Sequence, residues 1–358
     1  MSKDKDSIIN DDLNNIFNKT KNLLPEIKNK NIFLSGGTGF FGTWLIKSFI
    51  VANQKLKLNS KLFILTRNIN HHKNIHPELH NIDSVKYIEG DIRNFYFPKI
   101  DCHYIIHSAT TNARETFKKQ NPIIKYDVIV NGTKRILDFA TECNCEKFLL
   151  TSSGSCYGNI PSDISKISED YNGAPLTIDQ NFDYSVLGEA KRMSELLTNI
   201  YSKNFKIKTK IARCFSFVGP YMPLDIHYAI GNFMRDIIKN KSINILGDGK
   251  QVRSYMYVSD LIVWLLTILL KGKNNSIYNV GSEENITIHN LAKKISKLSL
   301  QNIDIKIHDQ LSNNINRAYT PSTQKIQNEL KVTQEINLEN AIIKTLSHID
   351  KNKKYYNI

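Results

Sequence analysis

The stretch from Asn31 to Phe49 constrains this chain more than any other. Ile32, Phe33 and Leu34 form a short apolar run of strand formers, the pattern of a strand buried on both faces. Gly36, Gly39 and Gly42 follow at G-x-x-G-x-x-G spacing, and Trp44, Leu45, Ile46 and Phe49 then recur at helical spacing. The pattern predicts a strand, a glycine turn and a helix that begins within the glycine run. Such a turn can cradle a pyrophosphate. Gly36 permits the tight turn, Gly39 lets the backbone approach the phosphates, and Gly42 lets the helix pack on the strand. The helix start adds free N–H groups and the positive end of a dipole. A glycine pattern alone is weak, but this strand–turn–helix setting makes dinucleotide binding the expectation, with Thr38, Phe40 and Phe41 beside the glycines.

The next segments alternate strand and helix patterns. Lys61 to Thr66 reads as a second strand. An acid at its end would hydrogen-bond the adenosine ribose of NAD; Arg67 stands there instead and suits the 2′-phosphate of NADP(H). Val85 to Glu89 reads as a third strand, followed by Gly90, Asp91 and Ile92. Tyr104 to Thr110 reads as a fourth, ending in the small residues Ser108 and Ala109 that a flat cofactor requires. His107 in that strand is read as a packed structural residue. Pro122 to Ala140 reads as a helix, Lys147 to Thr151 as a strand running into Ser152–Gly158, Asp183 to Tyr201 as a helix, and Lys206 to Ala212 as a strand. Alternation of this kind implies an α/β fold, a doubly wound parallel sheet of Rossmann type with ligands at the carboxyl ends of its strands. Beyond it the alternation weakens. Tyr278 to Gly281 reads as a last short strand, and Arg317 to Leu330 and Leu338 to Ile349 as parts of a smaller C-terminal α/β lobe. The division expected is a helical extension over 1–29, the dinucleotide-binding domain over 30–212 completed by about 258–281, and a substrate lobe from 213–257 and 282–358.

Composition narrows the classes. With 358 residues, 41% of them hydrophobic, the chain can bury a substantial core. Its net charge of +14 comes from lysines scattered among asparagine and isoleucine. That reads as solvated surface with some attraction for anionic substrates, not as a nucleic-acid site. Five cysteines and no secretory leader suggest reduced thiols in the cytoplasm. Cys143 and Cys145 have no matching second pair, so no metal site is expected. Leu261 to Leu270 is too short to span a bilayer, and no membrane association is expected.

Taken together and in order, GGTGFFG (Gly36–Gly42), GDI (Gly90–Ile92), HSAT (His107–Thr110), SSGSCYG (Ser152–Gly158), GEAKR (Gly188–Arg192), VGP (Val218–Pro220), VRSYMYVSDL (Val252–Leu261) and YNVG (Tyr278–Gly281) resemble the extended short-chain dehydrogenase/reductases, the nucleotide-sugar epimerase/dehydratase group. The resemblance runs from about Lys30 to His348. It implies that a Rossmann domain holds NAD(P), with Asp91 and Ile92 at the adenine, and that the smaller lobe grips a nucleoside-diphosphate sugar. By the same resemblance Ser153 hydrogen-bonds the sugar oxygen and Lys191 bonds the nicotinamide ribose. Arg253 and Arg317 hold the diphosphate, where bidentate guanidinium pairing suits phosphate, and Ser155 and Ser216 contact the substrate.

Three positions depart from the family pattern. Its tyrosine lies four residues before the lysine, where this chain has Leu187; the nearest tyrosine, Tyr184, is seven before. A helix would place Tyr184 on the lysine's face but roughly 4.5 Å further back, and it is the candidate acid alongside Ser153 and Lys191. Family members that eliminate water carry an aspartate–glutamate pair where this chain has Gly154 and Ser155. Ile129 replaces the family's asparagine three residues before Gly132. Arg67 and the missing pair lead to an expected NADPH-dependent reduction of a 4-keto (6-deoxy) nucleoside-diphosphate sugar, in the making of surface-glycan precursors by a homodimer. The alternatives are an epimerase acting at C4 with bound NAD, then a 4,6-dehydratase or decarboxylase, and a cofactor-binding protein without turnover.

Overall fold

The structure, a computed structural model, describes residues 7–111, 121–178, 182–224, 228–299, 303–308, 318–356 and 358, with side chains in the helix that opens at Phe182 described from Ser185 onward. Chain order begins with helix α1 (Ser7–Thr20), strand β1 (Asn31–Ser35), helix α2 (Phe40–Leu56), β2 (Lys61–Thr66), α3 (Ile69–Ile75), β3 (Val85–Glu89) and β4 (Tyr104–His107). It continues with α4 (Pro122–Glu142), β5 (Lys147–Ser153), α5 (Phe182–Phe205), β6 (Lys208–Cys214) and β7 (Phe217–Val218). Then come α6 (Ala229–Ile238), β8 (Ile243–Leu246), β9 (Val252–Arg253), β10 (Met256–Tyr257), α7 (Val258–Lys271), β11 (Ser276–Val280), β12 (Ile286–Thr287), α8 (Ile288–Leu298), β13 (Ile305–His308), α9 (Gln324–Leu330) and α10 (Leu338–Lys351).

Seven strands form one sheet in the order β3-β2-β1-β4-β5-β6-β11, every pair parallel. Alternate residues of each central strand feed opposite apolar layers. Ile32 and Leu34 enter the layer shared with α1, α2 and α7, whereas Phe33 enters the layer with Ile136, Phe139 and Phe148. β4 repeats this, with Tyr104 and Ile106 on one side and Ile105 on the other. Both faces are therefore covered, which is why these strands read as continuous apolar runs. Burial of each such side chain contributes roughly 1.5–3 kcal/mol.

Several boundaries differ from the sequence reading. Lys206 takes a left-handed backbone (φ 58°) that closes α5 at Phe205, so the next strand starts at Lys208 instead of Lys206 and runs on to Cys214. The fourth strand ends at His107, because Ser108 to Thr111 leave the sheet to line a cleft.

α1 packs on α2 and α7 through Ile9, Leu13 and Ile16. Its Asp12 is only 2% exposed; the carboxylate accepts from Tyr257 Oη at 2.6 Å and pairs with Lys344 Nζ at 2.6 Å. Beyond the large sheet, β8 pairs with β13 and β9 with β12, flanked by α6 and α8. No described helix is long and apolar enough to cross a membrane.

Candidate active site

Strand order reverses between β1 and β4, and there the carboxyl ends splay around a cleft of about 690 Å³. Gly36, Thr38, Gly39, Phe40 and Phe41 line its floor. Gly36 has φ 74°, and a Cβ on it would lie 2.6 Å from the backbone of Ser108 and Ala109. A Cβ on Gly39 would meet only the Gly36 carbonyl, at 3.5 Å, so this backbone faces the open cleft just ahead of the first turn of α2. Gly42, expected among the cofactor-binding residues, is not in the cleft. A Cβ there would come within 2.3 Å of the Gly37 backbone, so its role is to let α2 press against the turn.

A buried hydrogen-bond chain fixes this turn from below. Ser35 Oγ bonds His107 Nδ1 at 2.6 Å and accepts from Ala109 N at 3.3 Å, while His107 Nε2 bonds Thr133 Oγ1 at 3.0 Å. Burial, with the Lys191 charge adding to it, pushes the His107 pKa down to about 3. His107 is thus a neutral tie between β1, β4 and α4. Above it, Ser108 Oγ and Thr111 Oγ1 line the cleft, buried and with no hydrogen-bond partner among the described residues. The glycine cradle and these two open hydroxyls fit a dinucleotide.

At one end of the cleft Arg67 is exposed beside Asp91 and Ile92. The Asp91 carboxylate accepts from Arg93 Nε at 2.8 Å and Nη2 at 3.0 Å, and this pairing holds its pKa below the usual carboxylate range. Asp91 is the one carboxylate among the described lining residues.

Ser153 lies at the other end, at the tip of β5. Its Oγ accepts from Ser155 N at 3.1 Å and bonds Ser155 Oγ at 2.9 Å, which places Ser155 behind Ser153, outside the cleft lining. Lys191 lines the same end and donates from Nζ to the Thr151 carbonyl at 2.9 Å; burial lowers its pKa. Leu187 also lines the cleft and packs with Ile129, Val130 and Ala190. The two apolar departures from the family pattern, Leu187 and Ile129, thus meet in one cluster.

Below Ser153, Glu195 of α5 and Arg213 of β6 form a buried ion pair at 2.6 Å. Ser152 Oγ donates to Glu195 Oε1 at 2.5 Å, and the Arg213 guanidinium lies 4.5 Å from the centroid of Tyr157. Nothing in the sequence signals this network, because its members are spread over three elements.

Of the remaining expected residues, Ser216 and Arg253 do not line the cleft. The Ser216 carbonyl accepts from Met256 N at 3.0 Å. Arg253 donates from Nη1 to the Val252 carbonyl at 2.8 Å and from Nη2 to Gln251 Oε1 at 3.2 Å. Arg317 and the side chain of Tyr184 lie outside the described residues. Sequence reasoning missed Thr111, Lys125, Phe215 and Tyr355, all of which line the cleft. Lys125, 2% exposed on the first turn of α4, reads in sequence as an ordinary surface lysine.

Residues 32–281 match the sequence model of the NAD dependent epimerase/dehydratase family. Among curated relatives, UDP-glucuronic acid decarboxylase 2 of Arabidopsis thaliana is 27% identical over 285 residues, covering 78% of this chain and 59% of that protein. The dTDP-D-glucose 4,6-dehydratase of Dictyostelium discoideum is 29% identical over 290 residues, 76% of this chain and 62% of that one. The chain therefore spans about three fifths of the length of these two relatives. A solved UDP-glucose 4-epimerase with UDP-glucose from Thermotoga maritima aligns with TM-score 0.77 at 18% identity, over 90% of this chain and 99% of that one. A UDP-glucuronic acid 4-epimerase from Bacillus cereus, in complex with UDP-glucuronic acid and NAD, aligns with TM-score 0.76 at 22% identity, over 90% and 99%. At these identities the likeness is one of fold.

Proposed function

This chain belongs to the NAD dependent epimerase/dehydratase family, and from that premise we propose that it is a nucleotide-sugar oxidoreductase that exchanges hydride at a sugar ring carbon without elimination. The observation that carries this reading is the strand end after Ser153. Gly154 and Ser155 stand where eliminating relatives are expected to place their two acids, and the one carboxylate among the described cleft residues, Asp91, is at the far end and committed to Arg93. No described side chain beside Ser153 can protonate a leaving hydroxyl as a carboxylic acid and withdraw a C5 proton.

A nicotinamide held in this cleft would supply or accept the hydride. Around it, the glycine turn, Ser108 and Thr111 hold the dinucleotide, Lys191 lies where the nicotinamide ribose is expected, and Ser153 faces the sugar oxygen. Reduction of a 4-keto sugar is the direction proposed, since the strand end after Ser153 lacks the two acids that elimination needs. Arg67 at the end of β2 favours NADPH as the reductant. The second reading is a 4-epimerase with retained NAD; the names of the solved relatives support it more directly, two being 4-epimerases, one of them with bound NAD. The nucleoside-diphosphate sugar is the proposed partner in either case. Exposed Met193, Leu196 and Ile200 on α5, beside Ile123 and Tyr126 on α4, support a homodimer through that face.

The test incubates the purified protein with a panel of nucleotide sugars and their 4-keto-6-deoxy derivatives. Stoichiometric NADPH oxidation with one keto sugar is the expected result. Interconversion of 4-epimers without net cofactor consumption would establish the second reading, and loss of water or carbon dioxide would reject both. In the same protein Arg67→Ala should weaken NADPH more than NADH, and wild-type preference for NADH would remove the cofactor assignment.

A further inference from the structure

Ser153 has a phenol beside it that comes from the opposite end of the chain. A Cβ on Gly154 would lie 2.7 Å from Tyr319 Oη and 2.9 Å from the Phe215 ring. The Tyr319 hydroxyl therefore occupies the space that any side chain at 154 would need, at the strand end next to Ser153. Its ring packs on Phe215 with centroids 4.8 Å apart, and the Arg253 guanidinium lies 5.7 Å from its centroid. Its backbone N–H donates to the Val252 carbonyl at 3.2 Å. The ring is thus held on two sides and aimed by its backbone, and glycine at 154 is the condition for its approach.

We propose that Tyr319 supplies, through Ser153, the proton that reduction of the keto sugar consumes. This rests on the reductase reading above. As the new C–H bond forms with hydride from the reduced nicotinamide, the carbonyl π pair moves to oxygen and takes the Ser153 Oγ proton. Ser153 in turn takes the proton of Tyr319 Oη, and the phenolate is reprotonated by solvent. The products are the sugar alcohol and oxidised nicotinamide, with one hydride and one proton added across the carbonyl. Burial raises the Tyr319 pKa, so the phenol is held in the protonated form that a donor needs. Tyr319 acts through Ser153, so it is a positioning and relay residue; Ser153 is the group that touches the sugar.

Tyr319→Phe keeps the ring, its packing on Phe215 and its contact with Arg253, and removes only the proton. With the keto sugar that the panel identifies, kcat should fall by roughly a hundredfold or more. KM and the dissociation constant for NADPH should stay near wild type. Replacing Tyr319 with the more acidic 3-fluorotyrosine should keep turnover and move the alkaline limb of the kcat–pH profile to lower pH, a shift that a packing role would not produce. A second readout needs no substrate: the fluorine resonance of that residue, titrated with and without Ser153→Ala, should report a different phenol pKa in the two proteins. Wild-type kcat in Tyr319→Phe, or an unmoved pH limb, overturns the relay. Loss in Tyr184→Phe with none in Tyr319→Phe overturns it in favour of the helix tyrosine. If the wild type reduces nothing in the panel, the reductase reading fails and the relay with it, and the fluorine titration still decides whether the two hydroxyls are paired. Identical titrations would show that they are not.

Discussion

His107 shows at the residue scale how one side chain can be essential to a site without taking part in its chemistry. It is 2% exposed, bonded at both ring nitrogens, and its pKa is pushed down to about 3 by burial. In the unfolded chain it titrates near the ordinary value of about 6.5. Its folded pKa is depressed, so the unfolded state binds the proton first. Its stabilising contribution is complete above about pH 6.5 and is lost as pH falls from there toward 3, at roughly 1.4 kcal/mol per pH unit. Asp260 opposes it over part of that range, since burial raises its pKa to about 6, but that term is common to wild type and a His107 variant. Urea unfolding of wild type and His107→Asn between pH 6 and 4.5 should therefore give free-energy slopes that differ by roughly one such increment. Equal slopes would mean that His107 is not buried in its neutral form.

At the scale of elements, the tip of β5 is placed by its neighbours. Ser152 points down to Glu195 on α5, and Glu195 pairs with Arg213 on β6, so one strand end is fixed by a helix and the adjacent strand together. Both partners of the pair are less than a tenth exposed. Removing one charge strands the other in a low-dielectric interior. Glu195→Gln is expected to cost about 3–5 kcal/mol in urea unfolding, whereas replacing both partners by apolar residues of similar volume should cost much less. A loss under about 1 kcal/mol for Glu195→Gln would show that water reaches the pair. The same element logic explains Leu187 and Ile129: each packs on the other's helix, so the α4–α5 contact gains an apolar pair where the family pattern has a tyrosine and an asparagine.

At the scale of the whole molecule, segments far along the chain return to the tip of β5. β9 carries Arg253 to the Tyr319 ring, and Tyr319 in turn reaches the tip of β5. The C-terminal segment returns as well, with Tyr355 lining the cleft and Tyr356 Oη accepting from Tyr221 N at 2.8 Å. Arg253, which the family resemblance assigns to the diphosphate, thus stands one ring away from the tip of β5, with Tyr319 between them. Arg253→Ala should weaken nucleotide-sugar binding by roughly 1.5–3 kcal/mol for a lost charge-assisted contact and leave the cofactor dissociation constant nearly unchanged. Calorimetry with UDP- and dTDP-sugars checks it; unchanged affinity for all of them would move the diphosphate site elsewhere.

Local pattern was enough for much of this. Apolar runs of the right length, separated by helical periods, specified the parallel sheet, because the central strands, covered on both faces, are apolar at most positions. The strands at Lys61–Thr66 and Val85–Glu89 run where the periodicity puts them. The glycine turn was legible because the close backbone approach at Gly36 and Gly42 leaves no room for a side chain, which is a property of single residues. Strand ends were less so, since where β4 stops and β6 starts depends on neighbouring chains and on the left-handed Lys206. What tertiary structure alone decided are the contacts between residues far apart in sequence. Gly154 and Tyr319 are separated by most of the C-terminal half, and Ser152, Glu195 and Arg213 lie on three different elements. No periodicity connects such positions; only the folded path of the chain makes a missing side chain at one the room for a hydroxyl from the other.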